Sequence, residues 1–294
     1  MSLLEIKNEL AALSAEEQAE IATCLSRLLR KSVADSQVSL SPPQQLYKYR
    51  KLDANTIDAI VRSVAYFAKP FTFNDPFDCR LRPTNYEGTE EEYRVYFTKN
   101  AKKYFPAKKV TEEVNRKIRA GVHHDEHQWE AAWKAAQTDQ NEKVGLLCLT
   151  KNPDNILMWS HYADCHRGCC LEFSTAESVF KMARLVEYPK IYPNYRFLDC
   201  MNDRELFYKL TFFTKSNLWE YEQEWRVLFD ERHEKGAGLY KFENKALTGI
   251  IFGWNMAREH KELLGQLVSK RNPPVQLYQA HPYKREFRMK IVLV

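Results

Sequence analysis

Three short stretches of the chain gather residue types that do chemistry. "FNDPFD" (73–78) sets Asp75 and Asp78 beside Asn74. "MWSHYADCHRG" (158–168) holds His161, Cys165, His166 and Arg167. "LWEYEQEWR" (218–226) carries Glu220, Glu222, Glu224 and Arg226. In the first, the two aspartates suit an acid–base pair or a shared metal ion. The same residues also suit a turn. Pro76 pushes Asp75 toward extended backbone, Asn74 or Asp75 can bond nearby backbone as Asx side chains do, and Phe73 and Phe77 can anchor the turn in the core. As a turn, Asn74, Asp75 and Asp78 would support a site from behind. In the second stretch, His161 and Cys165 lie four apart on one helix face, a spacing open to a thiol–base pair. It is equally open to a helix packed through Met158, Trp159 and Tyr162. No second Cys/His pair at zinc spacing is nearby, so no metal ligand set is assigned. In the third, a strand would place Glu220, Glu222, Glu224 and Arg226 on one face and Trp219, Tyr221, Gln223, Trp225 and Val227 on the other. Acids aligned in this way raise one another's pKa unless cations such as Arg226 answer them, which marks a candidate site. A helical Glu222–Arg226 pair is the plainer alternative.

Elements able to position these stretches are legible in the hydrophobic pattern. Residues 45–50 (QLYKYR) read as a strand. Residues 53–64 read as a helix capped by Asp53, and 65–70 as a strand stopped at Pro70. Residues 89–140 are helical, with Trp129 and Trp133 four apart. Buried strands are predicted at 144–150, 168–174 and 247–253, an amphipathic helix at 255–270, and further strands to the C-terminus. Strands separated by helical insertions of uneven length predict an α+β domain with a mixed or antiparallel central sheet. Before it, residues 1–44 read as an N-terminal helical appendage, with a capping box at Ser14 and Glu17 and a Ser/Pro/Gln-rich linker from residue 32. The main domain is expected over 45–294. The N-terminal helices would serve self-association or partner contact.

Composition excludes several classes. With 9 glycines and no glycine-rich phosphate loop, neither a Rossmann fingerprint nor a P-loop is present. The net charge of +5 permits a nucleic-acid partner without requiring one. Lys99–Lys109 interleaves lysines with Tyr104 and Phe105, which suits either a single-strand-binding stripe or a solvated helix face. No apolar run reaches the roughly 18 residues of a membrane span. The odd set of 7 cysteines, without Cys-x-x-Cys, and the lack of a leader predict a reduced, cytoplasmic protein with no membrane partner.

The quoted motifs "LYKYR", "YFAKPFTFNDPFD", "LMWSHYADCHRGCCLEF" and "WEYEQEWR" resemble, in that order, the bacterial family catalogued as domain of unknown function 2971. That resemblance implies a domain and no reaction. A weaker one is to NAD-dependent ADP-ribosyltransferases. It rests on Tyr49-Arg50 as the aromatic–Arg pair of a first strand and on Glu222-Gln223-Glu224 as a Glu-x-Glu. It implies NAD as substrate, held by Tyr49, Arg50, Tyr66 and Phe73. Glu224 would stabilise the oxocarbenium-like transition state, Glu222 would orient the acceptor, and His161, Trp159 and Arg226 would lie at or behind the site. The acceptor would be a protein or nucleic acid, as for a toxin or antiviral effector. Ala68-Lys69-Pro70 stand where that family has Ser-Thr-Ser. The alternatives are a metal-dependent hydrolase or nuclease using Asp75, Asp78, His161 and Glu224, and a non-enzymatic binding module. The three chemical stretches are expected to meet at one cleft.

Overall fold

In the computed structural model the described residues are 13–14, 41–176, 179–230 and 236–294. The chain divides into Met1–Ser41 and Pro42–Val294. The N-terminal helices and the Ser14–Glu17 capping box lie outside the described residues.

Alternation of apolar and polar residues builds the larger unit around one sheet. Its strands are β1 (Gln45–Arg50), β3 (Gly145–Thr150), β4 (Cys169–Ser174), β5 (Arg184–Leu185), β6 (Glu224–Phe229), β8 (Leu247–Phe252), β9 (Gln276–Pro282) and β10 (Met289–Leu293). The spatial order is β10-β9-β8-β4-β1-β3-β6-β5. Neighbours run antiparallel except β8 and β9, which are parallel, so the sheet is mixed, as expected for an α+β domain. Strands β2 (Val64–Phe67) and β7 (Gly238–Lys241) form a separate antiparallel ribbon.

The two faces of the sheet are covered differently. On one, Leu46, Leu147, Leu149, Leu171, Val227 and Ile250 pack beneath α1 (Ala54–Arg62) and α8 (Arg258–Ser269). Each such side chain, fully buried, contributes roughly 1.5–3 kcal/mol. Helix α1 starts where Asp53 accepts from the Thr56 amide at 2.9 Å, the predicted cap. The other face carries two apolar bodies. One surrounds Tyr49, Trp159 and Cys170 under α5 (Ile156–Tyr162). The second joins Leu146 to α2 (Glu90–Ala101), α3 (Ala107–Arg119), α4 (Glu126–Lys143), α6 (Phe197–Asn202) and α7 (Arg204–Phe212). Trp129 and Trp133 are both buried there.

A seam runs down the middle of the sheet. β1 pairs with β4 along all six of its residues, yet it meets β3 only at Tyr47 and Thr150 among the described residues. The cause is local. Ala68, just past β2, exchanges both backbone hydrogen bonds with Leu146, each at 2.9 Å, and so occupies the edge of β3 that β1 would have used. Between these two points the Cys148 carbonyl accepts from the Lys48 ammonium at 2.7 Å.

One expected element is corrected. Residues 218–226 are not one strand. Asn217–Glu222 form a 3-10 turn begun by Ser216, and Gln223 takes left-handed backbone at φ 43° before β6 starts at Glu224. The turn leaves Glu220 exposed, so two acids rather than three are brought together.

Candidate functional site

A cleft of about 430 Å³ opens over the seam, between the two apolar bodies. Its size falls within the roughly 300–1,000 Å³ of small-molecule sites. Strand β1 lines it with Tyr47, Lys48 and Tyr49, and β3 with Cys148 and Thr150. Helix α5 adds Met158, His161 and Tyr162. The "FNDPFD" turn adds Phe73, Asn74 and Asp78, and Lys215, Glu222 and Glu224 complete the wall. All three chemical stretches therefore reach one cavity.

Its floor is a buried ion network. Arg226 is fully buried and grips Asp78 with two hydrogen bonds, at 2.8 and 2.6 Å, and Glu224 with two more, at 2.9 and 2.8 Å. Its guanidinium also donates to the Phe212 carbonyl at 2.8 Å and lies 5.5 Å from the centre of the Phe73 ring. These forked pairs saturate the planar cation. Lys215, also buried, donates to Glu222 at 2.6 Å and lies 3.5 Å from Glu224 and 3.6 Å from Asp78. Tyr162 donates to the other oxygen of Glu222 at 2.6 Å. Three acids thus face two cations.

The imbalance falls on Glu222. Burial raises its pKa, and the neighbouring Glu224 charge raises it further, against the pull of Lys215 and Tyr162. Burial alone would raise Glu224 as well, but Arg226 and Lys215 outweigh it and hold that carboxyl down to about 2. Burial disfavours the Lys215 charge, yet Glu224, Asp78 and Glu222 together push its pKa up. Two adjacent carboxylates thus have oppositely shifted affinities for a proton.

The polypeptide holds these groups in place by specific means. The Asp75 side chain accepts from the Phe77 amide at 2.9 Å, closing an Asx turn that presents Asp78 to Arg226. Asp75 is buried, while Phe77 is 58% exposed. The expected burial of Phe77 is therefore corrected: the ion pair and the Phe73 ring anchor this turn. The Thr150 hydroxyl donates to the Glu222 carbonyl, and the Glu224 amide donates to the Tyr188 hydroxyl at 2.9 Å. Downstream of α5, Asp164, Cys165 and His166 take left-handed backbone in succession, at φ 48°, 51° and 67°. Such residues cost roughly 1–3 kcal/mol each and persist where the surroundings over-determine them. Here bonds from the His166 amide to Trp159, the Arg167 amide to Asp164 and the Gly168 amide to Ala163 fix the turn. Gly168 is required, since a Cβ there would lie 2.1 Å from the Arg50 carbonyl.

Of the residues singled out from sequence, Tyr49, Phe73, Asn74, Asp78, His161, Glu222 and Glu224 line the cleft. Asn74 and His161 are exposed. Trp159 is fully buried behind the wall, with its ring 5.0 Å from Tyr49 and its indole donating to Pro153. Arg226 lies beneath the floor. Asp75 is not part of the lining, and Arg50 and Tyr66 line a separate cavity of about 30 Å³. Period two turns the Arg50 side chain to the face opposite Tyr49, and Arg50 is not among the residues that line the cleft. Arg50 is instead paired with Asp53 at 2.9 and 3.1 Å. Cys165 is exposed on the left-handed turn beyond α5, so the expected shared helix face with His161 does not form. No group of three His, Cys, Asp or Glu suited to a metal ion occurs among the described residues. The basic stretch Lys99–Lys109 spans the α2–α3 junction, away from the cleft, with Tyr104 81% exposed.

Sequence reasoning missed Lys215, Lys48 and Tyr188 and took Tyr162 for packing. Lys215 carried a signal, a single cation closing the apolar run "LTFFTK". Tyr188, in a short connecting segment, carried none.

No described helix is long and apolar enough to cross a membrane. Among curated proteins and solved structures, none matches the chain. The model of a family described as a protein of unknown function (DUF2971) matches residues 158–227. That span holds most of α5, the left-handed turn and Arg226, and with His161, Lys215, Glu222 and Glu224 it supplies the greater part of the cleft's charged wall.

Proposed function

We propose that the cleft breaks an N-glycosidic bond of a nucleotide, with NAD as substrate, in an ADP-ribosyltransferase-like reaction that passes the sugar to a macromolecule. The carrying observation is the Glu222–Glu224 pair, whose members have unlike environments on one wall of an aromatic cleft. As the glycosidic bond lengthens, positive charge grows on the ribose ring, and a fixed carboxylate beside it stabilises that charge. Glu222 suits this role better than Glu224, the residue first expected. Both Glu224 oxygens are locked in the forked pair with Arg226, whereas the Glu222 oxygens are held by two separate side chains, Tyr162 and Lys215. Glu224, Arg226 and Asp78 then form a rigid base that keeps Lys215 and Glu222 in position. Tyr47, Tyr49, Phe73 and Tyr162 provide ring faces for a nicotinamide. Arg50 and Tyr66, outside the cleft, are given no part in holding NAD.

Incubation with NAD and with protein or nucleic-acid acceptors, read by nicotinamide release and mass spectrometry, tests the reading. Release is expected from the wild type and to be lost in Glu222→Gln. If the wild type binds NAD without releasing nicotinamide, the site is a binding module; if it neither binds nor cleaves, the nucleotide reading fails.

A further inference from the structure

Lys48 occupies an unusual place. It lies on β1 at the seam, and it lines both the main cleft and the small cavity beyond it. Its ammonium has a backbone carbonyl, that of Cys148, as acceptor. No carboxylate pairs with it among the described residues. Lys215, the cleft's other lysine, is its opposite, being held by Glu222 and close to Glu224 and Asp78. A lysine attacks carbonyl carbon only as the neutral amine. Lys215 is held as a cation by its carboxylate partners, while burial shifts Lys48 toward the neutral form, which can still donate to the Cys148 carbonyl. Burial lowers its proton affinity, and the groups facing it are Arg50 on its own strand, Cys148 on β3, and Glu222 and Glu224 beside and on β6.

We propose that Lys48 is a nucleophilic amine that condenses with a small aromatic aldehyde or ketone bound in the cleft. The Nζ lone pair attacks the carbonyl carbon and a C–N bond forms. The C–O bond then breaks, and the oxygen departs as water with both amine hydrogens, leaving an imine. Tyr49, Phe73 and Tyr162 supply flat walls for the ring of the carbonyl compound. This site requires the cleft but not glycosidic chemistry, so nicotinamide release and imine formation succeed or fail separately.

The test is reductive trapping with benzaldehyde and sodium cyanoborohydride at neutral pH, followed by peptide mass spectrometry. Lys48 is expected to acquire the benzyl group ahead of exposed Lys102 and Lys103, with none at Lys215. Benzyl alcohol, which has the ring but no carbonyl, is expected to slow labelling at Lys48 alone. Lys48→Met is expected to lose that label and keep those on the surface. Labelling of Lys48 no faster than of Lys102, or unaffected by benzyl alcohol, overturns the proposal, and both readouts use the wild-type protein, whatever the stability of the variant.

Discussion

Strands β3 and β6 present two unlike faces with alternate residues. Leu147, Leu149, Trp225 and Val227 enter a dry apolar core. Cys148, Thr150, Glu224 and Arg226, their neighbours in sequence, bear the chemistry of the opposite face. The apolar face stabilises by removing surface from water and tolerates changes of shape. The charged face removes ions from water, and their mutual attraction only partly offsets that cost. Similar burial therefore has different meanings on the two faces: on one it is cohesion, on the other a poised arrangement held at some expense of stability.

The largest way to break this contrast is Arg226→Met, which strands Asp78 and Glu224 without their shared cation. A loss of about 3–5 kcal/mol in urea unfolding is expected. Replacing Asp78, Glu224 and Arg226 together by apolar residues should recover most of it, and failure to recover would mean that the network is cohesive after all. Glu222→Gln should reduce nicotinamide release by about 10²–10³-fold while unfolding at nearly the wild-type urea concentration. A parallel loss of stability would deny the division between base and working carboxylate. On the dry face, Val227→Ala should cost about 2 kcal/mol of stability and leave ligand affinity in the cleft unchanged.

Acid–base linkage sharpens the comparison within the charged face. Glu224, depressed from 4.5 to about 2, contributes stability that is present above pH 4.5 and lost as pH falls toward 2. Glu222 is raised above 4.5, so its contribution has the opposite sign. It is fully present below pH 4.5 and is lost as pH rises through the elevated value. Urea midpoints measured against pH should therefore flatten above pH 4.5 in Glu222→Gln, the smallest of these effects. An unchanged profile would place the proton elsewhere.

Local pattern carried much of this architecture. β1, α1 with its Asp53 cap, and β3 follow from period and capping, which act within a few residues. The meeting of Phe73–Asp78, α5 and Glu222–Glu224 was anticipated from their chemistry, though not the manner of it. The sequence pattern "WEYEQEWR" alternates well enough to imitate a strand, yet Gln223 breaks it by adopting a left-handed conformation that no local rule demands. The partners of Arg226 and Glu222 come from segments distant in the chain, and pairing between such segments depends on how the sheet is assembled. Arg50 was misassigned for a simpler reason, since strand geometry alone forbids it from facing the same way as Tyr49.

The seam between β1 and β3 also has a mechanical meaning. A sheet resists shear through its ladders, and here, among the described residues, five strands and three are joined by one rung at Tyr47 and Thr150. The line of least stiffness therefore passes directly beneath the cleft. A molecule lodged between Tyr49 on one plate and Glu222 beside the other would act as a second rivet, so that occupancy of the cleft would be felt as rigidity across the whole width of the sheet.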